Sequence, residues 1–205
     1  MSTRIALDGV GGQGVRVIAG VMGALLARMG KEVTVLFDYD SSVRGSMSDA
    51  FLIFDDEPIL NPVVEEADIM LKLADKGHLR ISGRKVVADL GLDVPGAEQI
   101  PFASLGSQNF GKELFGNMIA LGRLLRLAGI EFNEGAIRES LPRRYVDENV
   151  AAIRFGYELT EGEIARLAAA APPSRFEMNT AATAATHERT VSAGHGVAAG
   201  ERLED

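Results

Sequence analysis

The sequence predicts an α/β protein built on a single doubly wound, mostly parallel sheet with flanking helices. Short apolar runs typical of strands alternate with helical periodicity in the first half of the chain. A glycine-rich turn separates the first strand pattern from the first helix pattern. Helical patterns then dominate residues 112–171, which predicts a helical C-terminal part packed around the sheet.

The first predicted unit is a strand, a helix and a second strand. Residues 5–7 form a short apolar run, and residues 15–29 carry apolar side chains with a 3.6-residue period. Gly30 is placed to cap this helix, and residues 32–37 have the pattern of a strand. A right-handed crossover makes the two strands parallel to each other. Further apolar runs predict strands at residues 50–54, 69–73, 85–89 and 99–102.

Three helices are predicted in the second half of the chain. Residues 114–125 have a broad apolar face, and Gly129 ends this helix. Asn133 can cap a short helix that Pro142 terminates, and Asp147 can open the third helix.

The end of the chain differs from the rest in composition. Thr160 and Glu163 have capping-box spacing, which predicts a helical restart. After residue 171 the apolar pattern gives way to Ala, Thr, Gly and charged residues. By themselves these residues cannot bury enough surface to offset the conformational entropy that is lost on ordering. We therefore expect one α/β domain over residues 1–171 and an extended or disordered tail over residues 172–205.

Composition excludes several classes of function. The net charge of −8 makes nucleic acid and anionic membrane surfaces poor partners. The absence of cysteine excludes a disulfide, a cysteine-ligated iron–sulfur cluster and a thiol nucleophile in this chain. The 3 histidines are scattered, so we predict no metal site. No secretory segment follows the N-terminus, and no apolar run reaches the ~20 residues of a membrane helix. A cytoplasmic location is expected.

The glycine-rich turn is the strongest indication of function. A strand, a glycine turn and a helix N-terminus direct several backbone N–H groups toward one point, which suits a phosphate or pyrophosphate. A tight turn without a ligand is the alternative. The spacing also fits a P-loop, but Val15 and Arg16 stand where that motif requires Lys and Ser or Thr. The turn comprises Gly9, Val10, Gly11, Gly12, Gln13 and Gly14.

A polar segment after the second strand is expected to leave the same edge of the sheet as the glycine turn. Its Arg44 can donate two hydrogen bonds to a phosphate or to a carboxylate of a partner. An exposed arginine in a loop is the alternative. Asp38, at the end of the same strand, would bind an adenine ribose in a dinucleotide-binding fold.

Several groups of residues along the chain form a combined pattern. They are Gly9-Val10-Gly11-Gly12-Gln13-Gly14-Val15, Ser42-Val43-Arg44-Gly45-Ser46-Met47-Ser48, Pro58-Ile59 with Pro62 and Ala67-Asp68, Asn117-Met118-Ile119-Ala120-Leu121-Gly122, and Asn149 through Ala152 to Gly156-Tyr157-Glu158. Over residues 4–160 the chain resembles the gamma subunit of the 2-oxoacid:ferredoxin oxidoreductases. Gly-Gly-Gln-Gly combined with Val-Arg-Gly is far more specific than either motif alone. Ser46 stands where many members of that family have a second glycine.

The resemblance implies a subunit of a hetero-oligomeric enzyme. In that family, alpha and beta subunits use thiamine diphosphate and Mg²⁺ to decarboxylate a 2-oxoacid, 4Fe–4S clusters carry the electrons, and an acyl-CoA is released. The gamma subunit helps to hold coenzyme A and supplies no catalytic residue. The implied coenzyme A contacts in this chain are Gly9, Val10, Gly11, Gly12, Gln13, Gly14, Val15, Ser42, Val43, Arg44 and Asn117.

Two functional classes follow from these observations. The first is a coenzyme A-binding gamma subunit, whose partners are alpha, beta and ferredoxin-like delta subunits, with an additional flavin subunit where NAD accepts the electrons. The second is a stand-alone NAD-binding oxidoreductase with Asp38 on the ribose. The substrate stays open among pyruvate, 2-oxoglutarate, branched-chain oxoacids such as 2-ketoisovalerate, indolepyruvate and arylglyoxylates.

Overall fold

The six predicted strand patterns form one sheet in the computed structural model, which describes residues 2–39, 47–74, 81–92 and 94–170. The predicted tail lies outside these residues. The strands are β1 Thr3–Asp8, β2 Glu32–Tyr39, β3 Ser48–Asp55, β4 Glu66–Lys72, β5 Ser82–Asp89 and β6 Glu98–Ile100. The helices are α1 Val15–Arg28, α2 Phe102–Phe110, α3 Gly116–Leu127, α4 Glu134–Ser140, α5 Val146–Glu158 and α6 Glu161–Ala170, with a 3-10 turn at Glu113–Phe115.

The strand order of the sheet is β2-β3-β1-β4-β5-β6. Strands β1, β4, β5 and β6 are parallel, whereas β3 runs antiparallel to both β1 and β2. Strands β1 and β2 therefore have the parallel orientation that we predicted, but β3 lies between them. A short connection from β2 to β3 reverses the chain, since a parallel neighbour would require a long crossover. The α/β class, with a mostly parallel sheet and flanking helices, is confirmed.

The two faces of the sheet have different cores. Ile5 and Leu7 of β1 belong to the large apolar cluster that also contains the buried residues of the helices. Ala6, which points to the other face, belongs to a small cluster with Ala67 and Met70. Burial of each large apolar side chain contributes about 1.5–3 kcal/mol, so the large cluster dominates the stability of the domain.

Helices α3 and α5 cross at two glycines. A Cβ atom on Gly122 would overlap the backbone of Ile153, and one on Gly156 would overlap the backbone of Ile119. The absence of side chains at both positions lets the two helix backbones approach closely. This crossing holds the helical C-terminal part together.

The predicted caps of α4 and α6 are present, whereas α5 begins at Val146, one residue before the predicted start at Asp147, with Tyr145 as its N-cap. The Asn133 side chain accepts a hydrogen bond from the Ala136 N–H at 3.0 Å. The Thr160 N–H donates to the Glu163 carboxylate at 2.9 Å, while the Thr160 hydroxyl accepts from the Glu163 N–H at 3.3 Å. This reciprocal pair is a capping box, and it starts α6 as predicted. No helix among the described residues has the length and apolar character needed to cross a membrane.

Helix α2 was not predicted from the sequence. Only Phe102, Leu105 and Gly106 of its residues are buried, and no side chain caps its N-terminus. Few residues therefore mark this short helix in the sequence, and it packs against the following 3-10 turn and α3.

A buried ion pair ties this helical part to the last strand. The Arg123 guanidinium of α3 donates to both carboxylate oxygens of Glu98, at 2.8 and 2.6 Å, and to the Leu159 carbonyl at 2.9 Å. Arg123 is only 5% exposed. The Glu98 carboxylate thus compensates this charge through two hydrogen bonds. Such bidentate pairing best offsets the free-energy cost of removing the two charges from water.

Candidate functional site

The glycine turn lies where the sheet topology predicts a binding crevice. It follows β1, whose parallel neighbour is β4. The chain leaving β1 passes through α1 to β2 on one side, whereas the chain leaving β4 continues to β5 on the other side. Ligands of open α/β sheets bind at such a switch point, outside the carboxyl ends of the strands.

Two glycines give the turn its shape. Gly12 has φ +97° and Gly14 has φ +79°, both in the left-handed region that disfavours a side chain. A Cβ on Gly12 would meet open space, so the backbone there is accessible from the crevice. Gly14 is the N-cap of α1 and carries no side chain that could cap it.

The Gln13 side chain connects the turn to the end of β4. Its Oε1 accepts a hydrogen bond from the Val10 N–H at 2.8 Å, and its Nε2 donates to the Leu73 carbonyl at 2.7 Å. The Gln13 N–H itself donates to the Val10 carbonyl at 3.1 Å. Gln13 therefore holds the turn in position across the switch point, a role that a motif alone does not reveal.

The turn leaves backbone donors available. Within the described part of the chain, no hydrogen bond uses the N–H groups of Gly11, Gly12 or Gly14. The first turn of the 14-residue α1 contains no acidic residue, and it contains Arg16, whose guanidinium lies 5.1 Å from the centroid of the Phe37 ring. The positive end of the helix dipole adds to these donors, so the turn favours an anion.

Asn117 is brought to the turn from far along the chain. It lies in the first turn of α3, and a Cβ atom on Gly14 would overlap its side-chain amide. Asn117 was predicted to contact the same ligand as the turn, and the fold places the two side by side. That the turn and Asn117 both contact a ligand stays a prediction.

A cavity of about 310 Å³ opens beside the turn. Its walls come from the carboxyl ends of β4 and β5 and from the N-terminal parts of α2 and α3. The lining residues include Gly12, Gln13, Leu73, Asp89, Phe102 and Asn117.

Asp89 is a cavity residue that we did not predict from the sequence. Burial raises the pKa of its carboxyl to about 7, and the nearby Phe102 backbone N–H only partly opposes that shift. The signal was present, because Asp89 ends a predicted parallel strand and so had to lie at the ligand-binding edge. A carboxyl that ionises near neutral pH inside a cleft is typical of functional sites.

Three predicted contacts, Ser42, Val43 and Arg44, lie outside the described residues. The start of β3, which follows them in the chain, does reach the turn. The Ser48 N–H donates to the Gly9 carbonyl at 3.0 Å, and Met47 forms a bridge with Val10. The roles of the three residues stay predictions from the sequence.

The ribose role of Asp38 is disfavoured by the strand order. Asp38 lies near the end of β2, and β3 separates that strand from β1 and its glycine turn. Two strand spacings amount to ~10 Å. In a dinucleotide-binding fold the acidic residue ends the strand adjacent to the glycine turn.

A larger cavity, of about 580 Å³, lies at the opposite, amino edge of the parallel strands. Three of its charged groups pair with one another, since Arg84 contacts Glu66 at 3.0 Å and Asp68 at 3.4 Å. It lies at the edge of the sheet opposite to the glycine turn, so it does not adjoin the N–H groups of Gly11, Gly12 and Gly14. The carboxyl edge is therefore the candidate site.

Comparison with known proteins shows the family of this chain. Residues 4–159 match the profile of the pyruvate ferredoxin/flavodoxin oxidoreductase family. The 2-oxoglutarate synthase subunit KorC of Archaeoglobus fulgidus is 31% identical over 161 residues, which cover 76% of this chain and 86% of that protein. The KorC subunit of Methanocaldococcus jannaschii is 30% identical over 179 residues, covering 78% and 95%.

Solved structures share the fold. The gamma subunit of a keto/oxoacid ferredoxin oxidoreductase from Geobacter sulfurreducens has a TM-score of 0.62 at 23% identity, covering 77% of this chain and 95% of that chain. The 2-oxoglutarate:ferredoxin oxidoreductase from Magnetococcus marinus, solved with 2-oxoglutarate, coenzyme A and succinyl-CoA, has a TM-score of 0.62 at 19% identity. The match covers 84% of this chain and 32% of that longer chain.

The match to the family profile spans most of the chain, and the relatives are aligned over nearly their whole length. The resemblance to gamma subunits that the sequence motifs indicated is confirmed. This chain belongs to the pyruvate ferredoxin/flavodoxin oxidoreductase family.

Proposed function

We propose that this chain is the gamma subunit of an enzyme complex that oxidatively decarboxylates a 2-oxoacid to an acyl-CoA, and that it helps to bind coenzyme A. The observation that carries the proposal is the glycine turn at the N-terminus of α1, with Asn117 against Gly14 at the switch point of the sheet. Coenzyme A has a pyrophosphate and a 3′-phosphate. The free N–H groups of the turn suit the pyrophosphate.

Decarboxylation and electron transfer belong to partner chains in this proposal. Thiamine diphosphate, Mg²⁺ and 4Fe–4S clusters are assigned to alpha, beta and ferredoxin-like delta subunits. The chain has no cysteine to ligate a cluster. Among the described residues, no group of three or more His, Asp or Glu side chains could hold a metal ion. This subunit therefore acts by binding and orienting a substrate of the complex.

The relatives suggest the first 2-oxoacid to test. Both relatives described above carry the name 2-oxoglutarate synthase subunit KorC, and they align with this chain over nearly their whole length. We propose 2-oxoglutarate as the substrate of the complex, with pyruvate as the comparison in the assay. The pocket for the oxoacid lies mostly on other subunits, so this chain itself does not determine the choice.

Affinity purification of the tagged full-length chain from its own host tests the proposal. We expect thiamine diphosphate-binding and iron–sulfur subunits to co-purify, and the complex to reduce ferredoxin or viologen dye only when a 2-oxoacid and coenzyme A are both supplied. A chain that purifies alone and binds NAD(H) would instead support the stand-alone oxidoreductase.

The predicted role of Arg44 can be tested in the same complex. Arg44→Ala should remove a charge-assisted hydrogen bond, which corresponds to roughly a ten- to hundredfold loss of affinity. Lost coenzyme A affinity with assembly intact would place Arg44 at the ligand, whereas lost assembly would place it at a subunit interface. If neither changes, Arg44 is an exposed loop residue.

A further inference from the structure

The cavity beside the glycine turn combines apolar walls with few charged groups. Leu73 and Phe102 are buried in its walls, and Leu114, at 48% exposed, lies at its rim. Among its described lining residues only Asp89 and Glu113 ionise, and Glu113 is exposed. No lysine, arginine or histidine belongs to that set. These walls suit a neutral, partly apolar group better than a phosphate, whose charge requires cations or several N–H donors.

Among the described residues, Asp89 faces few other charged groups. On neighbouring β4, Lys72 contacts Asp8 at 3.4 Å, on the face of the sheet opposite to the helices. Helix α2 offers only the Phe102 backbone N–H, and the 3-10 turn offers only the exposed Glu113. No described residue places a cation beside Asp89, and burial raises the pKa of its carboxyl to about 7, so the neutral form persists to near neutral pH.

A neutral carboxyl and a side-chain amide share one chemical property. Each presents a hydrogen-bond donor and an acceptor next to one another. Asp89 and Asn117 both line the cavity, so its polar surface matches a group that itself combines an N–H donor with an acceptor.

We propose that Asp89, together with Asn117, binds a neutral donor–acceptor group of coenzyme A in this cavity, while the pyrophosphate lies at the glycine turn. The inference rests on the proposed function, because it assigns a further part of the same ligand. Coenzyme A contains two sources of this chemistry, the adenine base and the amides of the pantetheine arm. Asp89 is thus assigned as a residue that determines specificity within the site.

Calorimetric titration of the assembled complex with three probes tests the assignment. The probes are coenzyme A, adenosine 3′,5′-bisphosphate, which lacks pantetheine, and 4′-phosphopantetheine, which lacks adenine. Asp89→Leu should weaken coenzyme A binding by roughly tenfold, since the buried partner groups lose their hydrogen bonds. The fragment whose binding Asp89→Leu also weakens identifies the group of coenzyme A that Asp89 binds. Glu65→Gln, an exposed carboxylate at the amino edge, is the matched control and should bind all probes as the native complex does.

A second variant keeps the test independent of folding. Asn at position 89 always offers a donor and an acceptor, whereas the native carboxyl loses its proton between pH 6 and 8. The affinity of Asp89→Asn for coenzyme A, divided by that of the native complex, should therefore rise over this range, and the ionisation of the 3′-phosphate cancels in that ratio. If Asp89→Leu binds every probe normally while Gly14→Val weakens coenzyme A, the inference is wrong and the proposed function stands. If the native complex does not bind coenzyme A, both are wrong.

Discussion

The side-chain amide of Asn117 lies against the backbone of Gly14, so the first turn of α3 closes directly onto the N-cap of α1. The contact joins the glycine turn after β1 to the helical part that follows β6. A side chain at position 14 would both strain the left-handed backbone and displace this amide.

Three glycine variants separate these two effects. Gly14→Ala should destabilise the protein by about 1–3 kcal/mol and raise the Michaelis constant of the complex for coenzyme A, because strain and overlap combine. Gly12→Ala, with φ +97° but open space, should show only the strain. Gly20→Ala, in an exposed position of α1, should stabilise the protein by about 0.5–1 kcal/mol. Urea unfolding and steady-state kinetics measure both effects. Equal kinetics for Gly14→Ala and Gly20→Ala would make the turn a scaffold without a ligand.

Gln13 provides a test of the bridge between the turn and β4. Gln13→Leu removes both side-chain hydrogen bonds and should destabilise the protein by about 1–3 kcal/mol, because the Val10 N–H and the Leu73 carbonyl lose their partners. Gln13→Glu keeps the acceptor for Val10 but places a carboxylate oxygen at the Leu73 carbonyl. We therefore expect Gln13→Glu to weaken coenzyme A binding more than Gln13→Leu does, because its negative charge repels the phosphates of coenzyme A. Binding equal to that of Gln13→Leu would argue against a phosphate nearby.

The raised pKa of Asp89 predicts a pH-dependent stability. An unfolded aspartate ionises near ~3.9, whereas burial raises the pKa in the folded chain to about 7. Below both values the carboxyl is neutral in both states. As the pH rises from the lower to the higher pKa, the unfolded chain loses its proton first. The free energy of unfolding therefore falls by up to about 4 kcal/mol. Asp89→Asn should therefore gain stability over the native chain from pH 4 to 7, and the gain should stay constant above that range. Chemical unfolding at a series of pH values measures this difference, and a gain that does not vary with pH would contradict it.

The crossing of α3 and α5 predicts a stability effect outside the site. Gly156→Ala should destabilise the protein by about 1–3 kcal/mol, because the added methyl group meets the Ile119 backbone rather than a flexible side chain. Gly162→Ala in α6 has open space around the new methyl group and should be neutral or slightly stabilising. Thermal unfolding of the two variants compares them directly, and equal midpoints would show that the helices can move apart.

The local elements of this protein were determined by the sequence itself. All six strands were predicted, as were α1 and the caps of α4 and α6, because apolar periodicity, glycine stops and capping residues act within a few positions of one another. The glycine turn was equally local, since strand, turn and helix start are contiguous. Helix α2 escaped prediction because it is short and no capping side chain marks its start.

Only the tertiary structure decided which distant residues meet. Strand order determines three features of this protein. They are the position of β3 between β1 and β2, the contact of Asn117 with Gly14, and the position of Asp89 beside the turn. Strand order follows from the burial of all apolar faces at once, which no local pattern encodes. The resemblance pointed to Asn117, but it did not show that Asn117 lies against the turn. That contact and the raised pKa of Asp89 exist only because the folded sheet brings separate segments to one edge.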